Sequence, residues 1–113
     1  MDLNELKQCI DSIEECSDKA KYAVQSGHVP AELRRYVESL HQQASQAKAS
    51  AAQQLDERAS RDAVMEIERI ADQAMRVCRD SGDQVDPQVR DAVQRVHDGA
   101  SQAVRRLQAR SPA

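Results

Sequence analysis

The chain has no Phe and no Trp, and its only aromatic residues are Tyr22 and Tyr36. A core must therefore come from Leu, Ile, Val, Met and a large share of Ala; 113 residues allow one modest domain and not two. Gly and Pro are equally scarce, while Ala, Gln, Glu, Arg and Lys dominate, which is a helical composition. Cysteine is limited to Cys9, Cys16 and Cys78, an odd number with no CxxC pair. On a helix Cys9 and Cys16 stand two turns, roughly 10 Å, apart, too far to bridge. All three read as reduced thiols of a cytoplasmic protein, flanking the core. No apolar run reaches the length of a membrane span, and Asp2, Asn4 and Glu5 stand where a signal peptide would be basic. A basic excess is also missing: the net charge of −3 argues against a general binder of nucleic acid or anionic membrane.

Charge is divided unevenly. Residues 1–56 hold every Lys and a surplus of acid, whereas residues 57–113 balance acid with Arg alone. After Asp98 no acid follows, so Arg105, Arg106 and Arg110 form a basic end, as a helix dipole favours.

The chain repeats itself. Ile13-Glu14, Asp18 and Ala20 recur 54 residues later as Ile67-Glu68, Asp72 and Ala74. Leu33-Arg34, Val37, His41 and Ala44-Ser45-Gln46-Ala47 recur 56 residues later as Val89-Arg90, Val93, His97 and Ala100-Ser101-Gln102-Ala103. The two-residue difference places an insertion among Ser81, Gly82, Asp83 and Gln84. Residues 1–113 thus read as one domain: a first repeat over about 2–55, a second over about 56–110, and a tail at 111–113.

Each repeat reads as two helices and a turn. Leu3, Leu6, Ile10, Ile13, Ala20 and Val24 follow one another in helical steps, with a gap at Ser17. Leu33, Val37, Leu40, Ala44, Ala47 and Ala51 do the same. The second repeat gives Val64, Ile67, Ala71, Ala74 and Cys78, then Val89, Val93, Val96, Ala100, Ala103 and Leu107. Such one-sided stripes are the pattern of bundle packing. Gly27 and Gly82 are expected to end helices in the left-handed conformation, Pro30 and Pro87 to open them, and Asp86 to cap the last. An antiparallel hairpin would set large residues against small Ala in both repeats, filling space without strain.

The fold class expected is all-α, an antiparallel four-helix bundle built from a tandemly duplicated helical hairpin. The alternative is a dimer sharing a long middle helix, since no Gly or Pro lies between Ala44 and Asp80. Ala51 and Val64 would then lie on faces well over a quarter turn apart, and a break near Asp56 to Ser60, with either residue as the cap, realigns them.

No catalytic constellation emerges. The glycines are isolated, so no phosphate-binding loop exists, and no cofactor is implied. A di-iron bundle needs Glu-x-x-His on two helices; His41 follows Glu38 at that spacing, but His97 follows Gln94, so no metal ligands are assigned. What does recur off the core stripe is Arg34, His41, Ser45 and Gln46, matched by Arg90, His97, Ser101 and Gln102. Arg, His and Ser at steps of seven and four share one helix flank. These eight residues are the candidate partner-binding positions, although histidines that simply tie the flank to a neighbouring helix would explain the pattern too. The expected function is a non-enzymatic protein–protein interaction module, an adaptor, regulator or assembly factor whose partner is another protein, with a homodimer as a further option. The alternative is a bundle that senses a small molecule or anion in its Ala-rich interior. Histidine phosphotransfer ranks third, because the Lys and Gly that such domains set around their His are missing or displaced here. Nucleic-acid binding ranks last.

Overall fold

The computed structural model describes residues 3–27, 29–52 and 57–109. Four helices and one short turn account for them: α1 (Leu3–Ser26), α2 (Ala31–Ala52), α3 (Glu57–Ser81), a 3₁₀ turn (Gly82–Gln84) and α4 (Pro87–Ala109). The helices form a four-helix bundle in which α1 packs on α2 and α4, and α3 packs on the same two. α1 and α3 occupy opposite corners and meet only lightly across the diagonal. Because α2 packs on α3 within the chain, the middle of the sequence is not one continuous helix.

Contacts across the seams give the directions. Asp18 meets His41 and Glu14 meets Lys48, so numbers fall along α2 as they rise along α1. Glu5 meets Arg106, and the space beside Gly99 is closed by Ile13, which sets α4 against α1 in the same opposed sense. This register puts Ile13 level with Ala47 and Ala20 level with Leu40. In the second half, Asp72 on His97 puts Ile67 level with Ala103 and Ala74 level with Val96. Large residues meet small ones.

The core contains the expected stripes: Leu6, Ile10, Ile13, Val37, Leu40, Val64, Ile67, Val93 and Val96 are essentially inaccessible, as are Ala20, Ala44, Ala74 and Ala100. Burying each such Ile or Leu contributes roughly 1.5–3 kcal/mol. Three apolar residues outside the stripes, Ile70, Val85 and Val104, are buried as well. Ser17, the gap in the first stripe, is fully buried, and its hydroxyl donates to the Glu14 carbonyl at 2.8 Å. Cys78 is buried, and Cys9 and Cys16 pack half-buried against the core.

The turns depart from expectation in three places. Gly82 has φ +53° as expected, but among the described glycines it alone has positive φ, so Gly27 is not left-handed. A Cβ at Gly27 would meet the Ala23 carbonyl oxygen at 2.9 Å and Asp86 Oδ2 at 3.2 Å, so the need there is for space. Pro30 precedes α2, whereas Pro87 opens α4. Asp86 caps α4, its Oδ1 accepting from the Gln88 backbone N–H at 2.9 Å. Ser60 is no cap: it lies inside α3 and is buried, because α3 already begins at Glu57. Asp56, Arg110, the expected junction at 55–56, the tail at 111–113 and the side chains of Leu3 and Ala51 lie outside the described residues. Among the described residues no helix is long and apolar enough to cross a membrane.

Candidate functional site

The recurring polar positions divide once they are placed. His41 on α2 donates from Nε2 to Asp18 Oδ1 on α1 at 2.6 Å, and His97 on α4 donates to Asp72 Oδ1 on α3 at 2.5 Å. The two pairs match in exposure, 26 % for each imidazole and 50 % for each carboxylate. A carboxylate accepts, so the proton lies on Nε2 in both rings. In His97 the other nitrogen, Nδ1, is buried without a hydrogen-bond partner and stands 3.7 Å from Asp98 Oδ1. The Nδ1 lone pair of that ring is turned into the protein, away from solvent. Both histidines are ties between the two helices of their own hairpin.

The rest of the stripe scatters. Arg34 is exposed, whereas the Arg90 guanidinium donates to the Gly82 carbonyl and closes the 3₁₀ turn. Ser45 and Gln46 line a shallow groove of about 460 Å³ with Lys21, Glu38, His41 and Gln42. Ser101 is half-buried, its carbonyl accepting from Arg105 at 3.4 Å, and Gln102 is exposed. The structure therefore brings His41, Ser45 and Gln46 together, but not Arg34. Asp18 and Asp72, the partners that matter most to the histidines, belong to the sequence repeat and could have been read from it.

Two other grooves lie on the seams between the halves. One, of about 270 Å³, runs between α1 and α4 and is lined by Lys19, Tyr22, Ala23, Ser26, Gln88, Asp91, Ala92 and Arg95. The other, of about 300 Å³, runs between α3 and α2 and is lined by Glu32, Tyr36, Gln73, Arg76, Val77, Asp80 and Ser81. At the repeat offsets these are corresponding places: Lys19 matches Gln73, Tyr22 matches Arg76, Ala23 matches Val77, Ser26 matches Asp80, Glu32 matches Gln88 and Tyr36 matches Ala92. None of the six matched positions keeps its residue. The seams inside each hairpin have the same His–Asp tie, while the seams between hairpins differ at every matched lining position. Each groove also holds one of the chain's two tyrosines; Tyr22 is 73 % exposed.

Electrostatics on these faces are mild. On the α3 side Arg69 forms a bidentate pair with Glu66, and this hydrogen bonding holds the Glu66 carboxyl below the usual carboxylate range. Burial pushes the Cys78 thiol above its ordinary range, with the Arg90 charge acting in the opposite direction. Among the described residues no group of three or more His, Cys, Asp or Glu side chains is placed to hold a metal ion. Compared with protein-family models, curated proteins and solved structures, the chain matches none of them.

Proposed function

We propose that the chain is a non-catalytic, cytoplasmic protein-interaction module, derived by duplication of a helical hairpin, whose working surfaces are the two inter-hairpin sides. The observation that carries this reading is the pair of corresponding grooves, matched in place, different in chemistry and holding both aromatic residues. Tyrosine next to Arg, Tyr22 with Arg95 and Tyr36 with Arg76, is the composition of binding hot spots. The His–Asp ties account for His41 and His97 without a partner, which moves the binding surface from the repeated stripe to the grooves. Free thiols at Cys9, Cys16 and Cys78 fit a reducing compartment.

The test is recovery of the tagged protein from its native cells with two double variants beside the wild type. Tyr22→Ala with Tyr36→Ala should release the proteins that co-purify with the wild type. Arg34→Ala with Arg90→Ala should retain them. Release by the arginine pair alone would return the function to the stripe.

A further inference from the structure

Two large apolar side chains are exposed among the described residues, Tyr22 on α1 at 73 % and Met65 on α3 at 50 %. They stand on diagonally opposite helices and so cannot cover each other within one chain. Each begins a stripe that faces away from the core. On α1, Asp11 and Glu15 stand eleven and seven residues before Tyr22, within about 20° of its direction. On α3, Arg69 and Arg76 stand four and eleven residues after Met65, within about 40° of its direction. One stripe is apolar with acid below it; the other is apolar with Arg69 and Arg76 above it and Asp72 between them.

These spacings fit one register. If α1 is laid antiparallel on an α3 with Tyr22 at Met65, Asp11 arrives at Arg76 and Glu15 lies between Arg69 and Arg76. Lys19 then stands beside Glu66, whose carboxylate Arg69 of its own helix holds at an exposed site. Asp72, level with Glu15, has its carboxylate engaged by His97 on the α4 side. Lys19–Glu15 at 3.7 Å and Arg95–Asp91 at 3.6 Å are exposed pairs within single helices, which an incoming partner can replace at little loss.

We propose that the occupant of these surfaces is a second copy of this chain, docked head to tail with α1 of one copy antiparallel on α3 of the next. The inference rests on the inter-hairpin sides being the working surfaces and names their partner. Because the donor and acceptor stripes lie at opposite corners, the contact does not close on itself, and chains of copies grow with concentration.

Sedimentation velocity across a concentration series tests it. The wild-type mass should rise above that of one chain with concentration, and added salt should reverse the rise. Tyr22→Asp and Met65→Asp, both at exposed positions, should each weaken self-association by about tenfold or more. Mixed together, these two variants should form dimers that grow no further, since each keeps the surface the other has lost. Asp11→Arg and Arg76→Asp should each weaken association, and the double variant should recover it. A wild type that stays monomeric overturns the proposal. So does undiminished association of Met65→Asp alone, which would mean a symmetric contact through Tyr22. A monomeric chain that still loses a different co-purifying protein on Tyr22→Ala refutes self-docking and leaves the module reading standing; a chain indifferent in both assays removes both.

Discussion

A methyl group added at Gly27 would sit 2.9 Å from the Ala23 carbonyl oxygen and against Asp86, the residue that caps α4. Gly27→Ala should therefore cost about 1–3 kcal/mol, as overpacking does, and the loss should appear in the denaturation midpoint. Gly82 has open space around its Cα but a φ of +53°, so Gly82→Ala should cost about 1 kcal/mol through the backbone alone, and Gly82→Asn less. Ser17 reads oppositely: it is buried where the second repeat has Ala71, so Ser17→Ala should be neutral to stabilising within about 1 kcal/mol. A loss above that range would assign the hydroxyl a role beyond its bond to Glu14. Cys78 should react with maleimide well after Cys9 and Cys16. Its thiol is raised in the folded state, so the stability this supplies is complete below the ordinary thiol pKa and is lost as pH rises through the folded value. Thermal melts at rising alkaline pH should show the wild type losing more stability than Cys78→Ala.

The helical stripes were legible residue by residue because a helix facing one core must place apolar side chains every three or four positions. Ile70 and Val104 also stand at steps of three and four, from Ile67 to Ala74 and from Ala100 to Leu107, and widen stripes read too narrowly; Val85 lies between helices, where no periodicity reports burial. Asp18 and Asp72 were visible as repeated acids, yet their role required the register between α1 and α2 and between α3 and α4. That register makes a prediction for the elements themselves. Double-mutant cycles at His41–Asp18 and His97–Asp72 should give coupling energies of about 0.5–1 kcal/mol, alike in the two hairpins, as their matched geometry and exposure require. Zero coupling in both would show that the repeated histidines do something other than hold hairpins together. Gly27 marks a different limit: its chemistry named a turn correctly, but whether a glycine is needed for its dihedral or for its missing Cβ depends on what packs beside it.

For the whole molecule, the consequential division lies between seams. Inside each hairpin the same His–Asp tie is present; between hairpins the corresponding grooves have different side chains and hold the chain's two tyrosines. The grooves could not be read from sequence, because each is made by one helix from each half and exists only once the bundle closes. The most direct test of this division places a photo-crosslinking amino acid at position 22, in the α1/α4 groove, and separately at position 45, on the repeated stripe, in the full-length chain in its native cells. A discrete adduct from position 22, another copy of the chain or a different protein, with none from position 45, is the result expected. An adduct from position 45 with none from position 22 would contradict the account and make the repeated stripe the binding surface.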